Sequence, residues 1–296
     1  ALGNMRHSVE NHRIRISVDQ VGAELFSLIN LDSGKEYMWQ ADPDIWGGHA
    51  PVLFPIIGKL KDGTTEIDGK QYAITKHGIV RNNEDLELYS HSEDRITFRL
   101  CSSEKTKKQY PYDFDFRITY RVRNAHVIVY HEIQNMSTEP MYFCLGGHPA
   151  FRVPLHDHDP YDAHFLRFEH DETSASHIVK EDGTLREVTR PVPWTEGNIL
   201  PLSHELFDND ALVFRDLNSR SVVLESKING PLLKVDYAGW THLGIWAKPN
   251  GDFVCIEPWM GLADFEDSDG AFKHKEGIIE LAGNETYVMS FDIKVL

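Results

Sequence analysis

Phe114-Asp-Phe-Arg-Ile-Thr-Tyr-Arg-Val122 is the stretch on which the reading of the fold turns. Phe114, Phe116, Ile118, Tyr120 and Val122 alternate with Asp115, Arg117, Thr119 and Arg121. Successive side chains of a strand point to opposite faces, so this is a β-strand with one dry face and one wet face. After Arg123-Asn124-Ala125, a link of hairpin length, His126-Val-Ile-Val-Tyr-His-Glu-Ile133 reads as its antiparallel partner.

The same period extends outward in both directions. Ile96, Phe98 and Leu100 share a face of Arg95-Ile-Thr-Phe-Arg-Leu100, and Arg13-Ile-Arg-Ile-Ser-Val18 alternates cleanly. Asp68-Gly69 is a hairpin signal in the middle of residues 65–74. Further strands are expected at 221–226, 232–236, 243–247, 253–257 and 285–295. Helical periodicity is scarce, with short helices expected near 40–46 and 104–111. Residues 155–200 are polar and turn-rich and read as long loops holding one or two strands. Short strands at regular spacing predict an all-β chain, a large antiparallel β-sandwich or barrel. Alternating β and α units are missing, which disfavours doubly wound and (β/α)8 folds. No repeat or long linker divides the chain, so one domain over 1–296 is expected, with Ala1–Asn4 read as an extension ahead of a native Met5.

Composition narrows the partners. The chain has 296 residues and a formal charge of −16, from 46 acids against 30 bases. Such a surface repels nucleic acid and anionic lipid. It suits a neutral ligand and disfavours a polyanionic one, unless a local basic pocket overrules the average. Cys101, Cys144 and Cys255 form no CxxC pair and no disulfide framework. They read as reduced, buried thiols of a cytoplasmic protein. No apolar run of membrane-spanning length occurs, and the first residues lack the apolar core of a secretory signal.

Five short stretches could carry chemistry. In Leu145-Gly-Gly-His-Pro-Ala-Phe151 the glycines are expected to clear room beside His148, and the proline to hold it. The plainer reading is a strand-end histidine bonded to a nearby carbonyl. In Lys76-His-Gly-Ile-Val-Arg81, His77 stands beside a glycine at a strand end, facing a ligand or simply solvent. In Cys255-Ile-Glu-Pro-Trp-Met-Gly261, Glu257 interrupts an apolar strand. Buried beside an aromatic ring it would titrate high and act as a base near neutrality. Pro258 weakens the case for a regular central strand there. Asp210, in Leu206-Phe-Asp-Asn-Asp-Ala-Leu-Val-Phe214, enters a strand, where it would hold a ligand hydroxyl or cap an Asx turn. His156, His158 and nearby His164 could bind a metal, although their polar setting better suits a solvated loop. HExxH, P-loop and GxSxG motifs do not occur.

Taken in order, PVLFPIIGKL (51–60), TKHGIVR (75–81), EIQN (132–135), LGGHPAF, LFDNDALVF and IEPWMG resemble the aldose 1-epimerase (galactose mutarotase-like) family, and within it the bacterial LacX-type branch. The resemblance implies a β-supersandwich of about thirty short strands or fewer, with a sugar cleft on a concave sheet. It implies interconversion of the α and β anomers of a free hexose such as galactose or glucose, with no metal and no organic cofactor. Glu257 would be the general base at the C1 hydroxyl and His148 the general acid at the ring oxygen. His77 would bind near that oxygen and Asp210 would hold hydroxyls. Lys59 stands where galactose mutarotases carry an arginine and supplies a point charge in place of a bidentate fork. Arg81 and Arg152 are other cations near the motifs. Trp246 and Trp259, or Phe54 and Tyr237, could stack on the pyranose. The partner is a small sugar, with neither nucleic acid nor membrane, and the chain is a monomer or homodimer. Three rivals remain: an epimerase of hexose 6-phosphates, which needs several arginines around one pocket; a sugar-binding or sensing protein without turnover; and a metal enzyme built on His156, His158 and His164.

Overall fold

The computed structural model describes residues 5–296; Ala1–Asn4, and with them the expected extension, lie outside the described residues. Phe114–Arg123 and His126–Asn135 pair antiparallel along their whole length, from Asn135 opposite Phe114 to His126 opposite Arg123. The link between them is the two-residue turn Asn124-Ala125, with Asn124 at φ 51°, one residue tighter than the sequence suggested. This hairpin lies inside a nine-stranded antiparallel sheet. From one edge the order is Ile199–Pro201, His164–Phe168, Ser221–Ser226, Gly230–Asp236, Thr286–Val295, His126–Asn135, Phe114–Arg123, Arg95–Cys101 and Glu87–His91.

A second sheet of eight strands runs from Leu185–Arg190 through Ser176–Val179, Leu212–Phe214, His242–Trp246, Phe253–Met260 and Leu145–Gly147 to Val52–Leu53, with Ala150–Arg152 also paired to Phe253–Met260. The two sheets pack face to face. The Phe291 ring of the first lies directly under Gly147 of the second. Phe116, Ile118 and Ile293 of the first share one apolar cluster with Phe151, Phe253 and Ile256 of the second. A three-stranded sheet, Arg6–Glu10, Ile14–Asp19 and Glu24–Asn30, adds its buried face to that cluster. Asp68 and Gly69 both adopt positive φ and join Thr64–Ile67 to Lys70–Ala73, as the hairpin signal predicts. The architecture is the all-β antiparallel sandwich expected, with 24 strands among the described residues.

Three expectations are corrected. Residues 40–46 hold a single turn and no helix; Ile45 and Trp46 both donate to Asp42 O before Gly47-Gly48 ends it. The helix near 104–111 contracts to Glu104–Lys107, fixed by a Ser103/Thr106 capping box. Residues 155–200 contribute four strands, two to each large sheet. One of them, Leu185–Arg190, is an edge strand with a single buried residue, so the apolar alternation that betrays a strand is missing from it.

Candidate functional site

Phe253–Met260 is buried throughout except at Met260. On one side Glu257 pairs with Gly244 of His242–Trp246. On the other side the neighbour changes: Ala150–Arg152 pairs up to Cys255, and Leu145–Gly147 takes over at Trp259. His148-Pro149 occupies the break, with Ile256 N–H donating to Pro149 O at 3.3 Å. Pro258, two residues on, faces the same side of its strand. The donor it lacks therefore falls at the break, which is why a proline is tolerated in a central strand. The expectation that Pro258 stands in an irregularly paired part of the strand is met: the strand is central, and its pairing changes at the proline.

The glycines before His148 serve a different purpose from the one their sequence suggested. A Cβ on Gly147 would sit 2.6 Å from the Phe291 ring, and one on Gly146 would sit 2.9 Å from Trp259 Cδ1. They admit core aromatics from both sides and so let the two sheets close beneath the histidine. His148 is left with its ring stacked on Trp46 (centroids 5.3 Å, 27°) and edge-on to Trp246 and His77. Its Nε2 lies 3.4 Å from Glu257 Oε2, and its Nδ1 is buried without a partner. Both side chains are nearly inaccessible, at 8% and 3% exposure.

Burial sets the protonation of this pair. It pushes the Glu257 carboxyl up to about 8; the Trp259 indole offsets part of the rise, the field of Asp210 adds to it, and that of Lys76 opposes it. It pulls the His148 imidazole down to about 3, and the Lys76 and Arg81 cations push the same way. A dry site favours the neutral form of each group. His77 is likewise held well below its usual range by burial, then by His148, Lys76 and Arg81.

His77 sits at φ 64° and is clipped to Gly58 twice: its Nδ1 accepts from Gly58 N–H, and its own N–H donates to Gly58 O, both at 2.9 Å. The neutral ring therefore carries its proton on Nε2. Gly78 completes the turn at φ 91°, where a Cβ would stand 2.0 Å from Phe54 O. Asp210 precedes Leu212–Phe214 and does not enter it; at φ 73° its Oδ1 accepts from Ala211 N–H at 2.7 Å. This contact reaches only the next residue, short of the bond two residues on that defines an Asx turn, and the second carboxylate oxygen remains available. Lys59 is exposed, with its stem packed over Gly183. His77, His148, Glu257, Asp210 and Lys59 all line one cleft of about 550 Å3, well within the range of small-molecule sites.

Residues 5–272 fit the family described as aldose 1-epimerase. The chain belongs to the aldose 1-epimerase family. The plasmid-encoded protein LacX of Lactococcus lactis subsp. lactis is 30% identical over 300 residues, covering 99% of this chain and 100% of the relative. A galactose mutarotase related enzyme from Lactobacillus acidophilus superposes with a TM-score of 0.92 at 34% identity, over 99% of this chain and 97% of that one. A galactose mutarotase-like protein from Lactobacillus casei ATCC 334 gives 0.90 at 26% identity, over 98% and 100%. The family is one of sugar epimerases, so a small sugar is the class of substrate. No helix among the described residues is long and apolar enough to cross a membrane.

Other candidates fall elsewhere in this aldose 1-epimerase family member. Phe54 and Tyr237 are core residues, packed on Tyr110 and Phe116 and bonded to Ser219 O respectively, so neither can stack on a ligand. Trp246 and Trp259 do reach the cleft. Arg152 lies away from it, 3.8 Å from Asp157. His156, His158 and His164 do not converge, since His164 is buried with Nδ1 at 2.8 Å from Pro160 O. Among the described residues the donors that do gather are His148, Cys255 and Glu257, within 4.8 Å of one another. Cys144 and Cys255 are buried free thiols, and Cys101 is partly exposed. Asn135 of EIQN is structural, donating to three backbone carbonyls. Trp46 and Lys76 line the cleft and were not singled out from the sequence. Gly48, whose Cβ would collide with the Trp46 ring, is the signal that could have found the first.

Proposed function

We propose that this protein interconverts the α and β anomers of a hexopyranose by acid–base ring opening. The observation that carries the reading is the desolvated His148–Glu257 pair, Nε2 to Oε2 at 3.4 Å, in the wall of the cleft. Ring opening needs a proton removed from O1 and another delivered to O5. Glu257 takes the O1 proton as the C1–O1 double bond forms. The C1–O5 bond breaks and O5 takes the proton of His148. The carbonyl carbon turns about C1–C2. In reclosure His148 recovers the proton from O5, Glu257 returns the other to O1, and either anomer results.

Burial leaves both groups of the free pair neutral, so ring opening starts from the minor arrangement with the one shared proton on the imidazole, and at the open-chain stage that proton sits on the carboxyl. Burial favours the second arrangement, with both groups neutral, and this is the state left once the ring has opened. The Lys76 charge acts in the opposite sense, toward the carboxylate. The two proton arrangements are therefore exchanged by the sugar itself, with no net proton taken from water. His77 offers Nε2–H to the sugar near the ring oxygen, the free oxygen of Asp210 accepts a hydroxyl, Lys59 reaches the sugar from the rim, and Trp46, Trp246 and Trp259 provide walls.

The test is anomer exchange by NMR on galactose, glucose and glucose 6-phosphate, with and without protein. Enhanced exchange is expected on at least one sugar. Glu257→Gln and His148→Asn should each lower it about 10²–10⁴-fold with the fold intact. Absence of enhancement on every sugar, with folded protein, refutes the reading.

A further inference from the structure

Val127, Val129, His131 and Ile133 form the inward row of His126–Asn135, and all four are buried. An imidazole in that apolar row costs desolvation and needs a polar partner. Trp240 and Phe291 pack on the His131 ring, at centroid distances of 5.6 and 5.8 Å. Burial pulls the group down to about 4, so the ring is neutral near pH 7. Among the described residues the one hydrogen-bond partner of its side chain is Met289 O, 3.0 Å from Nδ1. A carbonyl only accepts, so Nδ1 carries the proton and Nε2 presents a lone pair.

His131 shares a small cavity with His148. The cavity has about 20 Å3 and lies between the two large sheets, walled by His131 and Phe291 from one and by Gly147 and His148 from the other. That is room for a single water. Neighbouring polar groups of the wall do not compete for it. The Tyr120 hydroxyl donates to Ala23 O, Ala50 N–H donates to Glu24 Oε2, and Pro51 and Pro149 have no N–H.

His148 needs an acceptor on this side. Its Nε2 turns to Glu257 Oε2, and its Nδ1 is buried without a partner. The proton shared by the pair lies between Nε2 and the carboxyl, whichever of the two holds it. The second proton of the imidazole is therefore on Nδ1 in both arrangements. A buried N–H without an acceptor is costly, and the cost is greatest when the ring is charged. Apart from its own backbone nothing favours a proton on this ring, and Lys76 and Arg81 oppose one.

We propose that one buried water bridges His148 Nδ1–H to His131 Nε2, which makes His131 a positioning residue for the acid. This rests on the acid–base reading above. The chain has one direction: His148 Nδ1–H donates to the water, the water donates to His131 Nε2, and His131 Nδ1–H donates to Met289 O. A hydrogen bond strengthens when its donor is charged, so the chain stabilises the imidazolium more than the neutral ring. A carboxylate behind a catalytic histidine acts in the same way. The bridge lies beneath the histidine and touches no sugar, so it acts on turnover and not on binding.

The experiment measures anomer exchange in His131→Phe and His131→Gln. Phenylalanine fills the space without an acceptor, and glutamine restores one. His131→Phe should lower kcat about ten- to a hundredfold, the loss of a hydrogen bond to a charged group, with KM held within about twofold. His131→Gln should recover part of the loss. An unchanged kcat in His131→Phe, a KM that rises in step, or no recovery in His131→Gln overturns the proposal. NMR of the unaltered protein with nitrogen-15-labelled histidine reads the bridge apart from turnover, and decides the matter even where a variant does not fold. The expected result is a proton on His131 Nδ1 and a His148 Nδ1–H with a cross-peak to a long-lived water. A proton on His131 Nε2, or no such cross-peak, overturns the bridge. If no sugar exchanges while the cross-peak is present, the catalytic reading has failed and the bridge stands.

Discussion

The two large sheets of this sandwich are built to different standards. The nine-stranded sheet has its hairpin of two ten-residue strands in unbroken register. Its inner residues, such as Phe116 and Ile118, are apolar apart from the buried His131, and outer ones such as Arg117 and Arg121 are charged. The eight-stranded sheet changes neighbours in the middle of its longest strand, carries a proline there, and buries a glutamate and a histidine at the discontinuity. Regular pairing satisfies every backbone group with the backbone and leaves side chains to packing. A break in pairing frees a short stretch to present side chains instead. The regular sheet supplies stability, and the broken sheet spends some of it on a desolvated acid–base pair.

That contrast can be broken by experiment. The largest effect is expected from the regular sheet: Phe116→Ala, a fully buried ring, should cost about 3–5 kcal/mol of stability and leave turnover per folded molecule intact. Denaturant unfolding alongside NMR exchange measures both, and a loss of turnover without a loss of stability would erase the distinction between the sheets.

Next is the cost of burying Glu257. Its folded value of about 8 lies above the ordinary 4.5, so between these pH values the folded state retains a proton that the unfolded state releases. The stabilising contribution is full below pH 4.5 and is lost as pH rises through 8. Glu257→Gln should therefore match the unaltered protein near pH 4 and exceed it by on the order of a few kcal/mol at pH 8. Thermal melts at the two pH values test this, and an advantage that does not grow with pH would contradict it.

Gly147→Ala probes the seam between the sheets. The added methyl meets Phe291, a ring held inside the core, and should cost about 1–3 kcal/mol by overpacking. If the glycine served the sugar instead, KM would rise with little change in melting temperature.

The smallest effect is in the pH profile. The reaction needs one proton on the His148–Glu257 pair, and the apparent values belong to the pair. With His148 drawn toward about 3 and Glu257 toward about 8, kcat/KM should be level across the neutral range and fall as the last proton leaves above pH 8. Activity still rising at pH 9 would rule out the shared proton.

Much of this was legible in the chain itself. Alternation such as that of Phe114 to Val122 depends only on strand geometry, so the sequence determines the all-β class and its hairpins, down to Asp68-Gly69. The ordered motifs likewise determine the family, and with it His77, His148, Asp210 and Glu257 as candidates. What they could not determine is depth and company, because these depend on residues far apart in the chain. Phe54 and Trp46 are equally aromatic in sequence, yet one is enclosed between the sheets and the other stacks on His148. Gly146 and Gly147 read as space for a ligand until Trp259 and Phe291 are found filling it. Local pattern fixes which way each side chain points from its own strand; only the closing of one sheet on another decides what it points at, and so whether a carboxyl is wet, and whether an imidazole has a partner.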